Sequence, residues 1–232
     1  MSFKIDSFPD ERFEVMGKPS PGQPFGLIDY YRFHLVCRQL VPGSVLDVGA
    51  YFGDFLQIAR EDGHEISGTE VNSARVEVAN SELAENAVVL DFRNGCFKSF
   101  RDAATDNVVC MEVVEHVPDD GLAVSELCRV ARNKVFITVP FRERIQSVLC
   151  VHCNKLTPYS GHLHTYDYGS FSQLVPSGWK VTKELPFAKR ITRILASNLP
   201  NCKASISVLG FVDSLLPIKS ARWLMVVIEP SK

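Results

Sequence analysis

The sequence is short of long apolar runs. No stretch approaches the ~18 consecutive apolar residues that a membrane-crossing helix needs. The opening segment, Met1 to Phe13, carries Lys4, Asp6, Asp10, Glu11 and Arg12 where a secretory leader has its apolar centre. It has no excess of positive charge either. Lys and Arg number 25 against 27 Asp and Glu, for a formal charge of −2, which argues against a strongly basic nucleic-acid-binding surface. The dinucleotide fingerprint G-x-G-x-x-G is absent, as is the Gly-Lys-Ser/Thr of a phosphate-binding loop. Repeats and low-complexity tracts are missing too. These absences point to a cytoplasmic globular chain and argue against nucleic acid as its partner, although a local basic patch stays open.

What is present supports one core. The 232 residues are 46% hydrophobic and 22% charged, which is ordinary globular composition at single-domain length. Seven cysteines, an odd number at irregular spacing, argue for reduced thiols and against a disulfide framework. Cys37, Cys96, Cys110, Cys128 and Cys202 stand singly among apolar neighbours and read as small core fillers. Cys150 and Cys153 form a C-x-x-C pair close to several histidines.

Residues 1–26, with four prolines and three glycines, read as an irregular arm, and 27–232 as one domain. A helix over 27–40 stops at Pro42-Gly43. Apolar runs then alternate with helical stretches: strands at 45–48, 65–70, 87–90, 107–111 and 134–139, helices at 54–62, 72–84 and 120–131. That alternation predicts an α/β fold with parallel βαβ units and right-handed crossovers. Farther on come a polar, histidine-rich loop at 141–166, a short helix at 168–175, strands at 179–186 and 222–229, and a helical insertion at 187–221 between them.

The most informative segment is Val45-Leu-Asp-Val-Gly-Ala-Tyr-Phe-Gly-Asp-Phe. A strand runs into a turn holding Gly49 and Gly53, then into a helix, so backbone can approach a ligand ahead of a helix N-terminus. Glu70 ends the second strand, where a carboxylate can accept both hydroxyls of a ribose. With Asp91-Phe92 after the third strand and the run Asp106-Asn-Val-Val-Cys-Met-Glu-Val-Val-Glu-His-Val-Pro-Asp119, these motifs resemble the class I S-adenosylmethionine-dependent methyltransferases. The likeness is to the ubiquinone-biosynthesis O-methyltransferases in particular. It implies a doubly wound, seven-stranded, Rossmann-like sheet of order 3-2-1-4-5-7-6 with the last strand antiparallel. It also implies that Asp47, Gly49 and Gly53 shape the donor site, Glu70 binds ribose, and Asp91 and Met111 meet the adenine. The family ordinarily has a third glycine where this chain has Tyr51. That side chain must turn away from the methionine moiety or partly cover it.

Methyl transfer to a hydroxyl also needs a base or a metal ion. Glu115, His116 and His164 are the candidates near the acceptor. In relatives the Glu-x-x-Glu-His formed here by Glu112, Glu115 and His116 can bind magnesium. A second constellation, Cys150, Cys153, His162 and His164, has the composition of a tetrahedral structural zinc site, with the histidine pair shaping an acceptor pocket as the rival reading. In the insertion, Lys189, Arg190, Arg193, Lys203 and Lys219 flank an apolar stripe. A packed amphipathic lid is the expectation, and contact with an apolar or anionic acceptor or a membrane surface is the alternative. The expected reaction is methyl transfer to oxygen or nitrogen of a small metabolite or sugar-bearing intermediate. Two other functions compete: a non-catalytic binding subunit on the same fold, and an RNA 2′-O-methyltransferase.

Overall fold

The computed structural model describes residues 25–83, 89–91, 100–151 and 154–231. Five parallel strands come first: β1 (Ser44–Val48), β2 (Glu65–Glu70), β3 (Val89–Asp91), β4 (Thr105–Met111) and β5 (Ala131–Pro140). A two-stranded hairpin follows, β6 (Ser147–Leu149) with β7 (Leu156–Pro158). Then come β8 (Trp179–Phe187) and β9 (Trp223–Pro230). The main sheet has the order β3-β2-β1-β4-β5-β9-β8. The last strand is inserted antiparallel to both neighbours. With the hairpin set aside, this is the order and the single reversed strand that the motifs imply.

Helices cover both faces. They are α1 (Leu27–Cys37), α2 (Asp54–Glu61), α3 (Ser73–Glu82), α4 (Asp120–Val130), α5 (Arg190–Ala196) and α6 (Lys203–Leu215). The strand pleat sends alternate residues to opposite sides. Leu46 and Val48 therefore join one core with Val108, Val124, Leu127 and Phe171. Val45 joins the other with Phe33, Phe55, Val109, Phe136 and Leu209. Strands buried on both faces read as continuous apolar runs, which is why the sheet was legible. The starts of α3 and α4 are capped by Asn72, accepting from Arg75 N–H at 3.2 Å, and Asp119, accepting from Leu122 N–H at 2.9 Å.

Three expectations change. The loop at 141–166 contains the β6–β7 hairpin. The stretch at 168–175 forms only a 3₁₀ turn, Ser170–Gln173. The insertion at 187–221 is helical as expected, in two α-helices. Cys37, Cys110 and Cys128 are buried as expected, but Cys202 is exposed because it caps α6 at the solvent end. Cys96 and residues 1–24 of the arm lie outside the described residues.

One buried polar node fixes the insertion to the domain. Asp213 of α6 accepts from Lys189 N–H at 2.8 Å and Thr192 Oγ1–H at 2.6 Å, and from the Tyr31 hydroxyl of α1 at 3.5 Å. The Lys189 ammonium lies 3.8 Å from its carboxylate, and both residues are buried. Removing one partner leaves the other charge buried and uncompensated. Asp213→Ala should therefore destabilise by about 3–5 kcal/mol in urea denaturation. A loss below 1 kcal/mol would show that the node is dispensable.

Candidate functional site

The carboxyl ends of β1, β2 and β4 build the site, where open parallel sheets hold their ligands. After β1 the chain turns sharply. The N–H groups of Gly49 and Ala50 both donate to the Thr69 carbonyl at 2.8 Å. Gly49 has φ +84°, and a Cβ there would overlap Val113. Gly53 has φ +86° and opens α2 without a side-chain cap. Tyr51 adopts φ 54°, the conformation a glycine would take. Its ring packs against Phe25 and Phe52, at 5.6 and 4.3 Å between centroids, with the Arg75 guanidinium 4.4 Å from its own centroid. The missing third glycine is thus replaced by a residue that keeps the backbone shape and is packed among these neighbours.

Glu70 is buried at the end of β2, in register with Asp91 of β3. Its carboxylate accepts from the N–H groups of Tyr51 and Asn72, both at 3.0 Å, and lies 3.7 Å from Arg75. Burial nevertheless raises its pKa. Met111 ends β4 and packs, half-buried, on the core beside α1. The Asp91 side chain lies outside the described residues.

Three further carboxyls gather where β1 and β4 end. Asp47 is fully buried, and burial with Glu70 nearby pushes it up to about 7. One of its oxygens has no partner among the described residues. Glu112, at φ 58°, accepts from Thr138 Oγ1–H at 3.1 Å and lies 3.7 Å from Arg32. Glu115 is 0% exposed, and neither of its oxygens has a hydrogen-bond partner among the described residues. Burial, then the charge of Glu112, raises Glu115 well above the usual carboxylate range. Arg32 of α1 is the cation facing them. Its guanidinium sits 4.5 Å from the Trp223 ring centroid and 3.1 Å from Asp29. Arg32 Nε is also buried, with no hydrogen-bond partner among the described residues. From sequence alone, Tyr30-Tyr31-Arg32-Phe33 is an aromatic-rich stretch that either lines the cofactor entrance or packs in the core, with no link to the acids. The partners of Arg32 are distant in the chain.

Beside Glu115, the ligand atoms of Glu115, His116 and His162 lie within 4.8 Å of one another. The two imidazoles meet edge to face, 4.7 Å between centroids. His116 Nδ1 contacts the Gly161 carbonyl at 3.3 Å, and His162 Nδ1 contacts the Glu143 carboxylate. An outer acceptor on one ring nitrogen is the usual arrangement for a metal-binding histidine. Burial and the neighbouring His162 lower the pKa of His116, favouring the neutral ring that a metal needs. One carboxylate and two imidazoles are suitable donors for a divalent first-row ion.

This arrangement corrects the sequence reading of the loop. Among the described residues, Cys150, His162 and His164 do not come together at ligand distance. Cys153 lies outside the described residues. Leu163 N–H donates to the Glu115 carbonyl at 2.7 Å, so the loop folds back along the end of β4 and His162 is delivered to Glu115 and His116. His164 is tied elsewhere, Nε2 to the Val117 carbonyl at 2.8 Å and Nδ1 at 3.6 Å from Asp120. It braces the start of α4 and does not join the cluster.

Comparisons with known proteins agree with this geometry. Residues 46–139 match the family described as a methyltransferase domain. A ubiquinone biosynthesis O-methyltransferase from Hahella chejuensis is 31% identical over 99 residues, 41% of this chain and 42% of that protein. One of the same name from Histophilus somni is 29% identical over 134 residues, 51% of this chain and 56% of that protein. The chain thus spans about half the length of these relatives. A solved S-adenosylmethionine-dependent methyltransferase from Mesorhizobium loti shares the fold, with TM-score 0.58, 14% identity, and coverage of 88% of this chain and 100% of that one.

The acid cluster has a measurable consequence. An acid whose folded pKa is raised holds its proton more tightly when folded. Its penalty is absent below about 4.5, the ordinary Glu value, and grows as pH rises towards the folded pKa. Without divalent ions, stability should fall between pH 5 and pH 8, and Glu115→Gln should flatten that fall and gain about 1–3 kcal/mol at pH 8. Urea midpoints at both pH values check this. Parallel losses in the two proteins would refute it.

Proposed function

We propose that this chain, a class I S-adenosylmethionine-dependent methyltransferase by its domain and its fold, transfers a methyl group to a hydroxyl oxygen of a small molecule with the help of a divalent cation. The observation that carries the reading is the trio Glu115, His116 and His162, its carboxylate buried and its imidazoles half-buried, at the same sheet edge as the donor-type glycine turn. The relatives' role in ubiquinone biosynthesis suggests a hydroxylated aromatic ring as the acceptor class.

When bound, S-adenosylmethionine supplies an electrophilic methyl on sulfur, and a divalent cation at the trio lowers the pKa of the acceptor hydroxyl. The donor site fits on this chain's own features. Gly49 lets backbone come close, Glu70 offers a carboxylate to the ribose hydroxyls, and Arg32 Nε, without a partner among the described residues, offers a cation to a carboxylate. Asp91 and Met111 are assigned to the adenine side. The cation fits because both Glu115 oxygens are buried without partners among the described residues. Glu112, positioned by Thr138 and Arg32, adds negative charge beside the trio. These residues hold donor and acceptor in line, which is the protein's main contribution to a displacement at carbon.

The rival reading, a non-catalytic binding subunit, rested on Tyr51. Its glycine-like backbone and its packing among Phe25, Phe52 and Arg75 weigh against that reading. The near-balanced charge continues to disfavour an RNA substrate.

The test is calorimetry with S-adenosylmethionine, followed by methyl-transfer assays on dihydroxylated aromatic acceptors with and without chelator. Donor binding should survive chelation while turnover falls and returns with Mg²⁺, Mn²⁺ or Zn²⁺. His116→Ala and His162→Ala should each lower kcat by roughly 10²-fold or more with donor Kd nearly unchanged. Full activity in chelator would overturn the role of the cation. No donor binding at millimolar concentration would overturn the enzyme reading.

A further inference from the structure

A carboxylate outside the trio reaches it from the neighbouring strand. β5 pairs with β4, whose end delivers Glu115 and His116, and it finishes at Pro140. The two residues beyond it are firmly held. Phe141 is buried, its N–H donates to the Arg222 carbonyl at 2.9 Å, and it bridges to Tyr166. Arg142 turns the chain at φ 53°. Its N–H donates to the Tyr166 carbonyl at 2.8 Å, and its guanidinium donates to Asp167 at 2.8 Å. Glu143 comes next, and its carboxylate contacts His162 Nδ1.

His162 itself arrives on a loop. Gly161 before it has φ +74°, and Leu163 after it is bonded to the Glu115 carbonyl. Those backbone contacts bring the residue to the trio but do not orient its ring. Among the described residues, the hydrogen bond of that ring is the one to Glu143. A carboxylate accepts, so Nδ1 carries the proton and Nε2 keeps the free lone pair. The Gly161 carbonyl imposes the same choice on His116. Glu143 is not itself in the group whose ligand atoms all lie within 4.8 Å of one another. A carboxylate behind a metal-binding imidazole fixes its tautomer and raises its basicity.

We infer that Glu143 is a positioning residue, which fixes His162 in the tautomer with Nε2 free and so sets how tightly the trio holds a divalent cation. This rests on the proposed cation. It adds a residue that touches neither the donor nor the ion. The charge of Glu143 also bears on Glu115 and His116, so an action through His162 has to be separated from an action by charge alone.

Titration of the full chain with Co²⁺, followed by calorimetry and visible absorbance, makes that separation. Glu143→Ala should raise the Co²⁺ Kd roughly 10–100-fold. Glu143→Gln should raise it by less, because the amide oxygen still accepts from Nδ1–H. The absorption bands should keep their wild-type positions in both variants, since no ligand is lost. Added to His162→Ala, Glu143→Ala should cost nothing further, because the ring it acts through is gone. Its side chain is 31% exposed, so the melting temperature without metal and the Kd for S-adenosylmethionine should both hold. The nearly isosteric glutamine variant carries the test if the alanine variant fails to fold. An unchanged Co²⁺ Kd would overturn the inference, as would equal losses with and without His162. Shifted bands would make Glu143 a ligand and overturn it too. No Co²⁺ binding by the unaltered chain would overturn the cation reading and this inference with it, whereas binding that Glu143 does not influence would overturn this inference alone.

Discussion

A single buried guanidinium holds the acidic edge of the sheet together. Asp47, Glu112 and Glu115 stand at the ends of β1 and β4, and burial raises the pKa of each. Arg32 is the cation that opposes this for all three. Arginine's planar, weakly hydrated guanidinium suits such a buried ionic site. Its position depends in turn on α1 lying across the sheet and on Trp223 offering a ring at the start of β9. The docking of α1, the insertion of β9 and the charge of the site are therefore one arrangement. The Tyr31 hydroxyl, next to Arg32, contacts the Lys189–Asp213 node, which ties the α5–α6 insertion to the same helix.

The fold was almost wholly legible in the sequence because its strands are buried on both faces and its helices are amphipathic or capped. The runs at Val45–Val48 and Val135–Val139 need no tertiary knowledge to be read. The glycine turn and the strand-end carboxylate were legible for a related reason, since both are local features. The cluster around Glu115 was only half legible. Glu115 and His116 are adjacent in sequence, but their partner His162 is delivered by a loop that closes through a backbone bond from Leu163 to Glu115. Period-two spacing paired His162 with His164. The loop gives them different neighbours, Glu143 and His116 for one, Val117 and Asp120 for the other. Arg32 was not linked to the acids because nothing in a helix sequence reports an aromatic ring nearly two hundred residues away.

Steric strain follows the same geography. Six non-glycine residues among those described have positive φ, and four of them stand just after strands of the main sheet: Tyr51 after β1, Glu112 after β4, Arg142 after β5 and Ala188 after β8. Each such residue costs of order 1–3 kcal/mol unless its surroundings hold it. Each is held here. Tyr51 N–H is bonded to Glu70, Glu112 N–H to the Thr138 carbonyl and Arg142 N–H to the Tyr166 carbonyl. Ala188 is buried and precedes the Lys189–Asp213 node. Interior strand residues have no such strain, because their ladder bonds already satisfy an ordinary extended backbone.

The combination favours this edge over the other for the proposed chemistry. At the amino ends of the strands, Asp106 accepts from Ser44 N–H and Oγ–H, both at 2.9 Å, and binds Arg132. Its pKa is lowered, as for a carboxylate with good partners. At the carboxyl ends, Glu115 is desolvated with no bonded partner among the described residues, and Asp47 has one oxygen in the same condition. Two sets of acids in one sheet thus have opposite electrostatics. The first adds stability by being satisfied. The second withholds stability in the free protein, and that energy is recoverable only by a ligand that brings positive charge or a hydrogen-bond donor. A sulfonium donor and a divalent cation both answer that description, so the two parts of the proposed reaction draw on one electrostatic feature of the fold.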